Sequence, residues 1–233
     1  MNINKESNLL NTKVIYDLTP FTHLDYQNHL SCIVWFWGCN MRCDYCYNKD
    51  IVFAKDGSYS YNDILKFLKT RVGLLDAVVL SGGEATSHNL IEFCKDIKQL
   101  GFLIKLDTNG VNYDSIKELV EYNLIDYIAL DYKAPKYKFY KITKLNRYNQ
   151  FTKTLDFLIE NGIEFEARTT LHNDLLDVDD INTIINDLKK RGYTNKYYIQ
   201  KFLDTGVTIG NLKDSTHSFD EERLSNSLEV IWR

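Results

Sequence analysis

One stretch, residues 31–46, joins an apolar run to three closely spaced cysteines: Ser31-Cys32-Ile33-Val34-Trp35-Phe36-Trp37-Gly38-Cys39-Asn40-Met41-Arg42-Cys43-Asp44-Tyr45-Cys46. The β-branched and aromatic residues of the run predict a strand that ends just before the cysteines. Three thiolates this close can converge on one metal centre. A four-iron, four-sulfur cluster bound by only three of them keeps one iron open for chemistry. We therefore predict a strand followed by a reactive cluster loop.

A structural zinc site is the alternative for the same cysteines. Such a site normally recruits a fourth protein ligand, often from a second Cys-x-x-Cys or from a histidine pair at short spacing. Cys32 and Cys94 stand alone in the sequence, and none of the five histidines pairs with another at ligand spacing. The pattern favours the open cluster, with Cys39, Cys43 and Cys46 as its ligands.

The composition is that of a globular protein: 233 residues, of which 44% are hydrophobic and 26% are charged. The sequence contains no low-complexity stretch, linker or repeat. We therefore predict a single domain over residues 1–233, with a core of about 19–202. The net charge of -4 gives no global attraction to nucleic acid or to an anionic membrane, so neither is expected as a partner.

A cytoplasmic location is expected from the same sequence. The longest strongly apolar stretch, 32–37, is far too short to span a bilayer, and residues 1–7 lack the basic and apolar regions of a signal peptide. Cytosolic thiols stay reduced, so five cysteines with three of them clustered favour metal ligation over disulfides.

Short apolar runs alternate with amphipathic segments, which indicates repeated strand-helix units and a parallel sheet. The predicted strands are 31–37, 77–80, 102–106, 127–130, 163–168 and 197–202. The predicted helices are 61–71, with a capping box at Ser60 and Asp63, 88–100, 113–122, 148–160 and 180–190, followed by a C-terminal helix over about 219–232. Six units are too few for an eight-stranded barrel. We therefore predict an α/β fold with a partial (β/α)6 barrel.

Polar residues follow five of the predicted strands. After the cysteine loop these are Ser81-Gly82-Gly83-Glu84, Asp107-Thr108-Asn109-Gly110, Asp131-Tyr132-Lys133 and Arg168. Because the carboxyl ends of parallel barrel strands meet at one mouth, we expect these residues to surround a single pocket.

Each of these segments also has an ordinary structural interpretation. The glycine run can be a tight strand-to-helix turn, because glycine tolerates a positive φ. Asp107 and Asp131 can be turn formers or helix caps, and Lys133 and Arg168 can simply pair with them. The repeated placement at strand ends favours a site.

Two motifs together resemble the radical S-adenosylmethionine superfamily. Cys39-x3-Cys43-x2-Cys46 is similar to its cluster signature, and Ser81-Gly82-Gly83-Glu84 is similar to its amine-binding turn. Within it, Asp107-Thr108-Asn109-Gly110 and the segment 130–135 resemble enzymes that activate glycyl-radical enzymes. The pattern is most similar to activators of anaerobic (class III) ribonucleotide reductase, over about residues 19–202.

The resemblance implies a chemistry and its partners. S-adenosylmethionine would bind the open iron through its amino and carboxylate groups, and one electron from a flavodoxin- or ferredoxin-type donor would cleave it to a 5'-deoxyadenosyl radical. That radical would take hydrogen from a glycine of a glycyl-radical enzyme, the anaerobic ribonucleotide reductase. The protein would supply orientation and exclude competing reactions.

The resemblance also implies residue roles. Gly82 and Gly83 would let the backbone approach the cofactor, and Glu84 would hold its amine. Lys133 and Arg168 would offset the carboxylate of the cofactor, and Tyr45 would pack near the adenine. A final set, Asp107, Thr108 and Asp131, would hold a monovalent cation.

Other functions stay open from the sequence. One is a radical enzyme acting on a small molecule, similar to the 7-carboxy-7-deazaguanine synthases, and another is a non-enzymatic metal-binding or electron-transfer module. A basic and aromatic stretch, 133–147, would suit RNA or single-stranded DNA, an ordinary solvated loop and helix start, or an acidic face of the partner enzyme.

Overall fold

A computed structural model describes residues 11–233. Its strands are β1 Ile15–Thr22, β2 Ser31–Phe36, β3 Ala77–Gly82, β4 Leu103–Thr108, β5 Tyr127–Asp131, β6 Phe165–Leu171, β7 Tyr197–Lys201 and β8 Val230–Trp232, which form one sheet in chain order. β1 runs antiparallel to β2, whereas β2, β3 and β4 pair in parallel, as do β6, β7 and β8. The six predicted strands, β2 to β7, are confirmed. Residues 1–7, on which the absence of a signal peptide rests, lie outside the described range.

The helices of the described range are α1 Lys49–Phe53, α2 Tyr61–Lys69, α3 Ile91–Gln99, α4 Tyr113–Glu121, α5 Lys136–Thr143, α6 Tyr148–Glu160 and α7 Val178–Lys190. The predicted capping box opens α2, because the Asp63 N–H donates to Ser60 Oγ at 3.3 Å and the Ser60 N–H donates to Asp63 Oδ2 at 3.0 Å. The five internal helices that the sequence predicts are confirmed, and α1 and α5 are additional. Between residues 11 and 233, no helix is both long and apolar enough to cross a membrane.

The sequence pattern does not predict β1. Its residues are mostly half-exposed, and it contains Pro20, which is tolerated only where a strand lies at a sheet edge or bulges. β1 is such an edge strand, and its pairing with β2 shifts register between Thr19 and Thr22. An irregular edge strand of this kind leaves no clear alternation of apolar and polar residues.

The predicted C-terminal helix over 219–232 is wrong. Glu221–Arg223 form a single 3-10 turn, and Val230–Trp232 form β8 beside β7. Between them, the Ser225 N–H donates to Asn182 Oδ1 at 2.7 Å. Local and tertiary bonds of this kind compete with a helix, and the β-branched and aromatic residues of β8 suit a strand that completes the sheet edge.

The described residues fall into two compact units, and the first contains 11–40, Asp50–Thr108 and Asp114–Ile128. Its core packs alternate residues of neighbouring strands: Ile33 and Trp35 of β2, Ala77 and Val79 of β3 and Leu103 of β4, with Tyr26 and Tyr127. The parallel register sets Phe36 opposite Gly82. The start of the cysteine loop and the glycine turn therefore leave the sheet side by side.

The second unit contains Met41–Lys49, Asn109–Tyr113 and Ala129–Arg233. Tyr132, directly after β5, is almost fully buried. The centroid of its ring lies 4.7 Å from that of the Phe151 ring. Its hydroxyl donates to Asp187 Oδ2 at 2.8 Å and lies 2.6 Å from the Tyr148 hydroxyl. These bonds fix the backbone between Asp131 and Lys133. The predicted single domain over 1–233 stays a prediction.

Candidate active site

The glycine turn of the first unit packs against the end of β2. The Gly83 N–H donates to the Phe36 carbonyl at 2.8 Å, and the Glu84 N–H donates to the Gly38 carbonyl at 2.9 Å. A Cβ on Gly82, whose φ is 113°, would lie 2.4 Å from Phe36 N, and one on Gly83 would lie 1.8 Å from Gly38 O. Only glycine fits at these two positions, because backbone occupies the space that a side chain would need. The turn thus ties Glu84 to the residue before Cys39.

Glu84 is a buried carboxylate, with 2% of its surface exposed. Its Oε1 accepts hydrogen bonds from the Thr86 N–H at 3.2 Å, the Thr86 hydroxyl at 2.5 Å and the Thr108 hydroxyl at 2.8 Å. The bond from the Thr86 N–H makes Glu84 the N-cap of a short 3-10 turn, Ala85–Ser87. These three donors are neutral groups, and together they orient the carboxylate.

Asp107 lies at the end of β4 in a small polar group. Its Oδ2 accepts from Ser81 Oγ at 3.2 Å, and its Oδ1 lies 2.9 Å from Lys105 Nζ. Lys105 is 4% exposed, and its Nζ also donates to the Asp25 carbonyl at 2.6 Å. Lys105 is a site residue that the sequence motifs do not single out. The feature that could have revealed it is a lysine inside an otherwise apolar strand.

Asp131 of the second unit accepts bonds from two cations. Lys133 Nζ donates to its Oδ2 at 2.8 Å, and Arg168 Nε donates to its Oδ1 at 2.5 Å. Burial alone would raise the pKa of Asp131, but the charges of Arg168 and Lys133 and their hydrogen bonds lower it to about 2. Burial opposes the charge of Lys133, yet Asp131 and its neighbours hold the Lys133 pKa well above its usual range. All three groups are therefore charged at neutral pH, as the ordinary ion-pair interpretation requires.

Residues 41–49 of the cysteine loop belong to the second unit and are held on two sides. The Arg42 and Asp44 N–H groups donate to the carbonyls of Thr143 and Ile142 at 2.9 and 3.3 Å, which satisfies carbonyls at the C-terminal end of α5. On the other side, the N–H groups of residues 209 and 210 donate to the carbonyls of Cys46 and Asp44 at 2.9 and 2.8 Å. These backbone hydrogen bonds hold the loop in place on both sides.

Gly210 is a further residue at the cysteine loop that the sequence motifs do not single out. A Cβ at this position would lie 2.7 Å from the Asp44 Cβ and 2.9 Å from its carbonyl oxygen. Glycine is therefore required where this strand-following segment crosses the cysteine loop.

The donor set of the cysteine loop fits an iron-sulfur centre. Cys39, Cys43 and Cys46 form no disulfide within the range 11–233, and thiolate sulfur is the ligand that such clusters use. Burial raises the pKa of Cys43 to about 11, although the charge of Lys133 opposes this rise, and burial also raises the pKa of Cys46. Without metal, the Cys43 and Cys46 thiols therefore stay protonated at neutral pH, and metal binding would release their protons.

Tyr45, which stands between Cys43 and Cys46 in the sequence, is buried. Lys133 Nζ lies 5.8 Å from the centroid of its ring. This contact joins the cysteine loop to the group of Asp131, Lys133 and Arg168. A contact of Tyr45 with adenine stays a prediction.

The structure thus brings together two sets of predicted residues, one in each unit. Glu84 and Thr108 lie in contact in the first, with Asp107 beside Ser81, and Tyr45, Asp131, Lys133 and Arg168 form the second. The predicted cation site at Asp107, Thr108 and Asp131 stays a prediction, and the two aspartates are already neutralised by lysine and arginine side chains. The single pocket around all these residues also stays a prediction.

Comparisons with known proteins agree with the two motifs. The model of the Radical SAM superfamily matches residues 33–190. Two proteins of Methanocaldococcus jannaschii described as candidate glycyl-radical enzyme activating enzymes are similar. One is 30% identical over 81% of this chain and 80% of its own length. The other is 29% identical over 94% of this chain and 83% of its own length.

The fold also matches solved structures. Streptococcus suis SuiB bound to S-adenosylmethionine aligns over 98% of this chain with a TM-score of 0.66 and 14% identity. The chain spans about half the length of this solved protein, 52%. The predicted class, α/β with a partial (β/α)6 barrel of the radical SAM type, is confirmed. The chain therefore belongs to the Radical SAM superfamily and is an enzyme that uses a four-iron, four-sulfur cluster and S-adenosylmethionine.

Proposed function

We propose that the chain activates a glycyl-radical enzyme and that its partner is the anaerobic ribonucleotide reductase. The observation that carries the proposal is the 30% identity to a candidate activating enzyme over 81% of the chain. The segments Asp107-Thr108-Asn109-Gly110 and 130–135 support it, and the resemblance of residues 19–202 to activators of anaerobic (class III) ribonucleotide reductase favours that partner. A flavodoxin- or ferredoxin-type protein is the proposed electron donor.

Cys39, Cys43 and Cys46 are the proposed cluster ligands. They are the clustered thiols of the chain, and the backbone bonds of the loop hold it in place. The cluster, once reduced by one electron from the donor, and S-adenosylmethionine would supply the one-electron cleavage that yields a hydrogen-abstracting radical and methionine. Every other task, from orienting the cofactor to excluding water, belongs to protein side chains.

Glu84 is the proposed partner of the cofactor's amine. Its carboxylate is buried and is oriented by the two threonine side chains at residues 86 and 108. An ammonium group that reaches such a carboxylate forms a strong, charge-assisted hydrogen bond, because little water competes for it.

Lys133 and Arg168 are the proposed partners of the cofactor's carboxylate. Both cations bind Asp131, Lys133 at 2.8 Å and Arg168 at 2.5 Å, and less than a fifth of each side chain is exposed. A cofactor carboxylate that reaches these cations would form charge-assisted hydrogen bonds, and the planar guanidinium of Arg168 suits a carboxylate in particular.

Electron paramagnetic resonance tests the activity directly. The chain, reconstituted with iron and sulfide and reduced under argon, is mixed with S-adenosylmethionine and the purified anaerobic ribonucleotide reductase of the same organism. We expect a glycyl-radical doublet on the reductase and formation of 5'-deoxyadenosine, both lost in a Cys43→Ala variant.

Two results would contradict this function. If 5'-deoxyadenosine forms only when a small molecule is added and no co-encoded glycyl-radical enzyme acquires the doublet, the chain is a small-molecule radical enzyme. If no cleavage of S-adenosylmethionine occurs with a fully loaded cluster, the radical function itself fails.

A further inference from the structure

The exposed side of α5 forms a basic-aromatic face, made of Lys136, Tyr137, Tyr140, Lys141 and Lys144 at its C-cap. At about 100° per residue these positions fall within an arc of roughly 140°. All five are exposed, whereas Phe139, Ile142 and Thr143 point into the core. The stretch is solvated as predicted, but it forms a helix of its own, and the solvent side of this helix combines lysines with two large rings.

The two tyrosines of this face leave much apolar surface in water. Tyr137 is 66% exposed and Tyr140 is 63% exposed. The Tyr137 hydroxyl donates to Asp180 Oδ1 of α7 at 2.7 Å, which holds the ring in place. Tyrosine is enriched at protein interfaces because a stiff ring offers large contact area at a small entropic cost.

The charge of the face is not cancelled by the protein. α5 contains no acidic residue, and Lys138, on its flank, is paired with Asp180 at 2.5 Å. Lys136 and Lys141 form no ion pair with any residue of the described range 11–233. On a chain with a net charge of -4, this local excess of positive charge selects an acidic surface.

The same helix is joined to the cysteine loop. Besides the bonds from Arg42 and Asp44 to the end of α5, Lys144 Nζ donates to Asp44 Oδ2 at 2.7 Å. α5 is eight residues long, which makes it about 12 Å from end to end. A protein seated on the basic-aromatic face would therefore lie within about one helix length of residues 42–44 of the cysteine loop.

We propose that the basic-aromatic face is the docking site for an acidic surface of the partner whose glycine receives the radical, an inference that rests on the proposed function. A nucleic acid fits less well. Its binding draws affinity from many phosphate contacts, whereas only two lysines of this face are uncommitted. The rings and the few lysines match a protein interface instead.

The test measures binding of the reconstituted enzyme to the purified reductase. A K136E/K141E variant reverses the two uncommitted charges without touching the residues bound to the loop. K189E/K190E makes the same charge change at the exposed end of α7 and serves as the matched control. We expect the Kd to rise about tenfold in the first variant and to stay unchanged in the control. Y140A is expected to weaken binding as well, since it removes an exposed ring.

Two further readouts separate docking from chemistry. Cleavage of S-adenosylmethionine without the partner should equal wild type in K136E/K141E, and the glycyl-radical yield at low reductase concentration should fall. Equal Kd values for K136E/K141E and K189E/K190E would overturn the docking site even if the radical forms normally. It is also overturned if K136E/K141E loses a gel shift with single-stranded RNA while still binding the reductase like wild type. Failure of the proposed function is recognised separately, by the absence of the radical in wild type.

Discussion

Replacing Asp131 by asparagine is expected to destabilise the metal-free chain by about 3 kcal/mol at pH 7, since it leaves two largely buried cations without their anion. The carboxylate is bound by Lys133 at 2.8 Å and by Arg168 at 2.5 Å, and less than a fifth of each of the three side chains is exposed. Solvent screening is therefore modest, unlike that of a surface pair.

The pH dependence of this effect follows from the lowered pKa. A fall from 3.8 to about 2 corresponds to about 2 kcal/mol of stability, present above the unfolded pKa and lost as the pH falls through the folded pKa. About half of this contribution should remain at pH 3. The stability difference between wild type and Asp131→Asn should thus shrink from about 3 to about 2 kcal/mol between pH 7 and pH 3.

Urea unfolding at the two pH values measures this difference, with reductant present so that all five thiols stay free. Asp56→Asn, at an exposed aspartate, is the control and should change stability by less than about 0.5 kcal/mol at either pH. A difference for Asp131→Asn that is the same at pH 7 and pH 3 would refute the ion-pair argument, as would a difference no larger than that of the control.

Three further outcomes are expected. Gly83→Ala should lower Tm by several degrees more than Gly73→Ala, because the added Cβ would lie 1.8 Å from a carbonyl oxygen in the first case, whereas in the second it meets nothing within 4 Å and the cost is only the backbone strain of a φ of 78°. Glu84→Gln should weaken S-adenosylmethionine binding about tenfold in calorimetry while iron content stays at wild type, and equal affinity would exclude the amine contact. Cys43→Ala should lose the cluster's visible absorbance, whereas Cys94→Ala keeps it; a retained cluster in the first would disprove its ligation.

The sequence predicts the parts of the fold that local pattern controls. β2 to β7 appear in the sequence as apolar runs, and the start of α2 is predicted by its capping box. β1 and the C-terminal segment depend instead on neighbours far along the chain. Pro20 is acceptable only because β1 lies at the sheet edge, and 230–232 form a strand only because β7 offers an unpaired edge.

The candidate site shows the same division between local motif and distant contact. Cysteine spacing and the glycine turn are local and were legible. The sequence did not predict three contacts: Lys105 with Asp107, Gly210 with Asp44, and α5 with the cysteine loop. The last two join residues that lie about 100 or more positions apart. Hydrophobic periodicity carries no information about which distant loop a helix end will meet.

The structural and functional interpretations of the site residues prove compatible rather than exclusive. Gly82 and Gly83 are required by the protein's own backbone, yet the same packing ties Glu84 to the start of the cysteine loop. Asp131 pairs with Lys133 and Arg168 as any buried carboxylate would, yet the same bonds hold both cations, largely buried, in fixed positions. A cation held in this way forms a stronger hydrogen bond to an anionic ligand than a solvated cation does, because little water competes for it. The ion pair and the proposed carboxylate site therefore depend on the same side chains for the same physical reason.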